Sequence, residues 1–289
     1  MATPQRAVSA RLPLGAAAPL LAAVTLVAGC AQLVEGTPVP APTTSPPTAG
    51  SSSPLFPSDR PIDLGDCVLV AGFRVVDCAQ PHELEVFHIA ELPEDLAAGY
   101  PTPATVLPRF EPRCRAELPR YVGNSDVDAS RLREFVYWPS RQGWNSGERW
   151  VLCTAVEVGP DDQPLRRTGA LEGALREGLG RLQACAQDPP SAGTLRVVPC
   201  AEPHLGEAVP GVLTLGAPTD PPVSAEQANA AAEPHCRRAI DSFLRAPGGQ
   251  LGLRYSWRYP LPQSWPNGYT TVVCYAETDS PVTGSLRDP

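Results

Sequence analysis

The sequence predicts an α+β protein made of two tandem disulfide-stapled repeats, each a small and mostly antiparallel sheet with one main helix. Three observations carry the prediction. CAQPHELE at residues 78–85 returns as CAEPHLGE at residues 200–207, with five of eight letters unchanged. The interval from Cys78 to Cys114 equals that from Cys200 to Cys236, 36 residues each, and EPRCR (Glu111 to Arg115) is answered by EPHCR (Glu233 to Arg237). PSRQGWNSGERWVLC, ending at Cys153, is matched by PLPQSWPNGYTTVVC, ending at Cys274, with Pro, Trp, Gly and Cys at the same spacing. The repeats are placed at residues 61–159 and 160–280, the second opening with a linker helix, followed by a tail at 281–289.

Each unit begins with a cysteine hairpin. CVLVAGFRVVDC alternates apolar residues about Gly72-Phe73, and a glycine first in a two-residue loop suits a type II′ turn. That register sets Cys67 opposite Cys78, with Cα atoms near 5.5 Å, within reach of a disulfide. The geometry favours Cys67–Cys78 and Cys185–Cys200, leaving Cys114–Cys153 and Cys236–Cys274. Closing loops of about 12 and 40 residues contributes roughly 3 and 4 kcal/mol in the chain-entropy model. Glu83 to Leu92 alternates as a third strand. Residues 104–121 have helical spacing, with Pro108, Pro112 and Pro119 predicting a short or kinked helix. The second helix is clearer, with Ser224 as N-cap of a run of strong helix formers. Two aromatic strands close each unit. Between the units, Ala170 to Cys185 is read as an amphipathic helix with Leu171, Leu175, Leu179 and Leu182 on one core-facing stripe.

The first 29 residues carry Arg6 and Arg11, then an apolar stretch ending Val27-Ala28-Gly29-Cys30. Positive start, apolar middle and small residues describe a secretory signal, here at 1–29. The terminal cysteine resembles a bacterial lipobox, in which the thiol takes a lipid and becomes the new N-terminus. Residues 30–60 are rich in Pro, Ser and Thr and bury too little apolar surface to fold, so they are read as a disordered stalk. The expected location is the extracytoplasmic face of the plasma membrane, anchored through Cys30.

Composition removes several function classes. Net charge is −8, and the body is more acidic still, because the first 29 residues contribute two arginines and no acid. Such a surface does not attract nucleic acid. All basic side chains are arginine. No Cys-x-x-Cys pair suggests zinc, and an even cysteine set outside the cytoplasm reads as disulfides. The sequence lacks Gly-x-Ser-x-Gly, His-Glu-x-x-His and Walker patterns, and no cofactor is implied. His82 and Glu85 recur as His204 and Glu207. On a strand, residues three apart point to opposite faces, which argues against one shared ion. A structural corner is favoured over ligand contact, with Arg115 and Arg237 as partners for the glutamates. Trp144 and Trp265 are read as packing against the disulfides, with ligand stacking as the sharper alternative.

Gly65-Asp66-Cys67, Val75-Val76-Asp77-Cys78, Pro81-His82 with Glu85, Cys114, Trp144 with Gly147, and Cys153 together resemble the actinobacterial septum-formation domain. The resemblance covers residues 61–158 well and 181–278 more loosely. It implies a secreted or membrane-anchored envelope protein connected with division, and it supplies no catalytic residues. The expected function is a non-enzymatic, lipid-anchored envelope protein that binds a cell-wall or divisome partner. An extracytoplasmic small-ligand carrier and a wall-active or metal-assisted enzyme using the repeated His and Glu are the alternatives.

Overall fold

The computed structural model describes residues 61–96, 99–192 and 195–287. The signal peptide, Cys30 and the stalk expected at 1–60 lie outside the described residues. The first half forms a five-stranded antiparallel sheet from β1 (Cys67–Leu69), β2 (Arg74–Val76), β3 (Leu84–Glu91), β4 (Leu132–Tyr137) and β5 (Trp150–Glu157), in the order β2-β1-β3-β5-β4. Strand β5 reads WVLCTAVE, and all eight residues are buried because both faces of the sheet are covered. One cover is α1 (Pro103–Val122), which buries Val106, Phe110, Cys114, Leu118 and Val122 at a four-residue spacing. It neither shortens nor breaks at its three prolines, contrary to the sequence expectation. Its first turn is held by Thr105, whose hydroxyl accepts from the Thr102 N–H at 3.0 Å, and it stops at Gly123 in the left-handed region (φ 85°).

The second half contributes β6 (Ala184–Ala186), β7 (Val197–Pro199), β8 (His204–Ala208), β10 (Arg254–Arg258) and β11 (Thr271–Val282), with the short β9 (Leu213–Thr214) beside β11. The sheet order is β10-β11-β8-β6-β7, which read from its cysteine hairpin outward is the order of the first sheet. Ser224 caps α3 (Ala225–Leu244) as expected, accepting from the Gln227 N–H at 3.1 Å while Gln227 returns a bond to the Ser224 N–H. A short helix α2 (Arg141–Asn145) precedes β5, and a 3-10 turn (Pro262–Asn267) takes its place before β11.

The cysteines pair as the hairpin argument favoured: Cys67–Cys78, Cys114–Cys153, Cys185–Cys200 and Cys236–Cys274, with Cα separations of 5.0 to 5.3 Å. The expected hairpin register is corrected, however. Cys67 faces Val76, and Leu69 faces Arg74, so four residues separate the strands instead of two. Gly72 (φ 78°) and Phe73 (φ 48°) are both left-handed, and the Phe73 N–H closes on the Val70 carbonyl at 3.2 Å. The disulfide therefore reaches Cys78 beyond the end of β2.

The linker helix expected over 170–185 is also corrected. Residues 172–177 are turns and 180–182 one 3-10 turn, because Gly173, Gly178 and Gly180 all sit at positive φ and interrupt the helical ladder. Its four leucines are nonetheless core, as read. They join one apolar cluster that also holds Cys114 and Cys153 from the first half and Ala208 and Tyr275 from the second. Two further clusters lie on the outer face of the first sheet and beneath α3. The two halves thus share one continuous interior.

Candidate functional site

The repeated Cys-Ala-x-Pro-His-x-x-Glu phrase is a clasp. His82 pairs backbone to backbone with Arg167 (2.9 and 2.8 Å), and its Nδ1 lies 2.8 Å from the Gln80 carbonyl oxygen. The Cys78 carbonyl accepts from the Gly169 N–H at 2.6 Å. Glu85 accepts from the backbone N–H groups of Leu171 and Glu172 and from the Tyr121 hydroxyl. In the second half His204 pairs with Val282, Cys200 accepts from the Gly284 N–H at 2.7 Å, and Glu207 accepts from the Leu286 N–H and the Ser285 hydroxyl. Each clasp therefore grips Thr-Gly-Ala-Leu (168–171) or Thr-Gly-Ser-Leu (283–286). That fourth matched phrase stands in the sequence as well. Gly169 and Gly284 share φ near +80° (80° and 84°), which lets the chain turn away after the grip.

The strand argument that set His82 and Glu85 on opposite faces is overturned. Glu83 bends the chain and β3 starts only at Leu84, so ligand atoms of Cys67, His82 and Glu85 come within 4.8 Å of one another, as do those of Cys185, Cys200 and Glu207. The sulfurs are held in disulfides, and the carboxylates accept the bonds just described. Arg115 and Arg237 do not serve as partners for Glu85 and Glu207, again contrary to expectation. All four motif residues are at most 1% exposed, out of reach of any outside molecule.

The tryptophans part company. Trp144 joins the apolar cluster that also includes Cys114 and Cys153, with the Arg149 guanidinium 3.6 Å over its ring and Tyr100 edge-on at 6.0 Å. Trp265 is buried against Gly216 and donates its indole N–H to the Ala217 carbonyl at 3.0 Å. It belongs to none of the apolar clusters of the described residues, so its expected packing on a disulfide is not seen.

Next to Trp144 the first half opens a cavity of about 690 Å³ that the sequence did not announce. Phe73, Tyr100, Tyr137, Trp138 and Trp150 wall it, and Ser140, Gln142, Ser146 and Glu148 supply its polar groups. Phe73 reaches it because the left-handed hairpin turn aims it at Trp150, with rings stacked at 5.5 Å and 18°. Glu148 is 93% buried, since its exposure is 7%. One of its oxygens accepts from the Trp150 indole N–H at 3.0 Å. The carboxylate rests on Gly143, where an added Cβ would stand 2.3 Å from Oε2. Gly143, Glu148 and Trp150 are therefore one arrangement, and α2 holds it in place through Ser140, whose hydroxyl accepts from the Gly143 N–H.

At the corresponding positions the second half has Ser264, Tyr269 and Thr271, and there Tyr269 and Thr271 grip the first half. The Tyr269 hydroxyl donates within 2.9 Å of Glu111 and 3.1 Å of Glu134, Asn267 donates to Glu111 at 2.9 Å, and Thr271 donates to Asp128. Arg115 lies in the middle, bonded to Asp128 and Glu134, with its guanidinium 4.0 Å over the Tyr269 ring. Burial works against the Arg115 charge, but Asp128 and Glu134 outweigh it and hold the group firmly protonated.

A family model described as Septum formation matches residues 64–274, running through both halves. Two curated relatives from Mycobacterium tuberculosis, one in strain CDC 1551 / Oshkosh and one in strain ATCC 25618 / H37Rv, are each named an uncharacterized membrane protein. Both are 26% identical over 249 residues, covering 80% of this chain and 55% of the relative. The chain thus spans about half the length of the curated relatives it matches. No solved structure matches. Among the described residues no helix is long and apolar enough to cross a membrane.

Proposed function

The chain belongs to the septum-formation family, and on that premise we propose that it is a lipid-anchored, non-enzymatic binding protein of the cell envelope. Cys30 carries the anchor, residues 30–60 form the spacer, and the folded body meets a wall or division partner. The observation that carries the binding reading is the contrast between the two kinds of site. The repeated His and Glu are sealed inside clasps, with the glutamates occupied by backbone N–H groups and hydroxyls, whereas the aromatic cavity beside Trp144 opens outward. A concave, mostly apolar site with a few polar groups is the usual form of a ligand pocket. The proposal includes an internal duplication, supported by the matched sheet order, the matched disulfides and the two Thr-Gly-x-Leu grips.

The test is localisation in growing cells with a C-terminal reporter competent in oxidising compartments. Enrichment at division sites, with release from the membrane in a Cys30→Ala variant, is the expected result. A reporter that stays in the cytoplasm would overturn the envelope reading, and an even distribution around the envelope would remove the septal part of it.

A further inference from the structure

The cavity walled by Phe73, Tyr100, Tyr137, Trp138 and Trp150 has one acidic or basic side chain in its lining, Glu148, and no arginine or histidine. We propose that it binds an organic cation, an ammonium group carried on an apolar body, with Glu148 as counter-ion and the aromatic faces as cage. The inference deepens the binding reading given above and rests on it.

Three features point to this chemistry. Aromatic faces present the negative side of the ring quadrupole, and several set around one point favour a cation, most strongly when water is excluded. The cavity edge already shows that preference, since the Arg141 guanidinium sits 4.4 Å over the Tyr100 ring. Second, Glu148 is held ready. Its Oε2 takes the Trp150 indole N–H, and the carboxylate is seated against Gly143 in a space that any side chain at 143 would fill. A carboxylate that is nine-tenths buried is costly unless something positive meets it. Arg149, the residue next in sequence, does not serve: its guanidinium lies over Trp144 and donates to the Trp144 and Glu148 carbonyls. Third, other ligand classes find little here. An anion would meet a carboxylate and no cation in the lining. A neutral saccharide needs several fixed polar side chains, but the Ser140 hydroxyl is engaged with the Gly143 N–H, and Gln142 and Ser146 are exposed at the rim. A volume of about 690 Å³ accommodates a ligand body well beyond the ammonium group itself.

The second half supports the assignment by its departure. Tyr269 and Thr271 stand where Glu148 and Trp150 would be, and the cavity they line is smaller, about 190 Å³, with Arg115, Arg133 and Arg258 among its walls.

The experiment titrates the folded protein with tetraethylammonium, cadaverine, chitotriose and benzoate, followed by tryptophan fluorescence and calorimetry. Both cations are expected to bind and the other two not. Whichever cation binds more tightly separates a quaternary from a primary ammonium ligand. Glu148→Gln keeps an acceptor for the Trp150 indole and is expected to weaken cation binding about tenfold, in line with roughly 1–2 kcal/mol for a desolvated charge contact. Trp138→Leu, which leaves Glu148 and its support in place, gives an independent loss should Glu148→Gln fail to fold. Trp257→Phe in the second half is expected to change nothing. Binding of chitotriose unaffected by Glu148→Gln would overturn the cation assignment and leave the binding reading intact. Absence of binding by either cation would overturn the assignment as well, while the localisation experiment judges the envelope reading separately.

Discussion

Helices α1 and α3 carry the same phrase, Glu-Pro-x-Cys-Arg, yet its arginines lead different lives. Arg115 is sunk between Asp128 and Glu134 and covered by Tyr269 of the other half, with 11% of its side chain exposed. Arg237 is 54% exposed, pairs with Glu233 one turn away, and lies 4.6 Å over Tyr255. The turns before the last strands differ in the mirror sense: Asn267, Tyr269 and Thr271 of the second half bond to the first, and residues 141–150 of the first wall the aromatic cavity. Repetition of letters marks what each half needs to fold, namely its disulfides and its clasp. Division of labour appears where the letters diverge.

The largest test of that comparison is Arg115→Met against Arg237→Met. The first strands two carboxylates at the junction and is expected to cost about 3–5 kcal/mol, the figure for breaking a buried ion pair. The second removes a solvent-exposed pair worth about 0–1 kcal/mol. Chemical denaturation of both variants measures the difference. Equal losses would mean that the junction is not where the halves are joined.

The two clasps sharpen the comparison at a smaller scale. Glu85 holds the start of the segment carrying Leu171, Leu175, Leu179 and Leu182 into the shared core, whereas Glu207 holds residues 285 and 286, of which Leu286 packs beneath α3. Glu85→Ala leaves two backbone donors and the Tyr121 hydroxyl without an acceptor, and a loss of about 2–4 kcal/mol is expected. Glu207→Ala should cost about 1–2 kcal/mol on the same grounds. Hydrogen exchange at Leu171 and Leu286 would show whether each clasp opens by itself.

Next comes Gly143→Ala against Ser264→Ala. The methyl group at 143 cannot share space with the Glu148 carboxylate, so the variant is expected to lose about 1–3 kcal/mol, typical of overpacking, and to lose cation binding with it. At 264 the exposed hydroxyl only bonds the Leu261 carbonyl, and its removal should stay within about 0.5 kcal/mol.

Much of this arrangement was legible in the sequence. The cysteine pairing followed from spacing and hairpin reach, and the strands and α3 from alternation and a capping serine. What escaped was governed by single backbone conformations. Glycines at positive φ turned the expected linker helix into turns. Left-handed Phe73 shifted the hairpin register by two residues on the partner strand and delivered an aromatic ring to the cavity. A bend at Glu83 brought His82 and Glu85 together where strand alternation set them apart. The cavity was illegible for a related reason: its walls come from the hairpin, the loop before α1, the end of β4 and the turn before β5, which only the fold brings side by side. The paired Thr-Gly-x-Leu phrases could have been found, since each follows the last strand of its half, but three matched letters stand out only once the clasp is known.

The smallest expected effect concerns pH, and here the two halves should respond with opposite signs. Burial pushes the Glu111 carboxyl above its ordinary value of 4.5, and nearby Glu134 adds to this, against the Tyr269 hydroxyl and Arg115. A raised carboxylate resists ionisation in the folded state, so its contribution to stability falls as pH climbs from about 4.5 through the raised value. Glu277 is the reverse case. Burial opposes its charge, but bonds from Arg254 and Ser191 overcome that and hold it below 4.5. Its contribution is present above 4.5 and is lost as pH falls through the lowered value. Between about pH 2 and 7, Glu111→Gln should therefore gain on the wild type as pH rises above about 4.5, and Glu277→Gln should lose on it as pH rises towards about 4.5 from below. Melting temperatures across that range, compared variant by variant, give the two slopes. A shared sign would show that the junction and the second sheet do not differ in their electrostatics, and would remove one of the distinctions drawn between them.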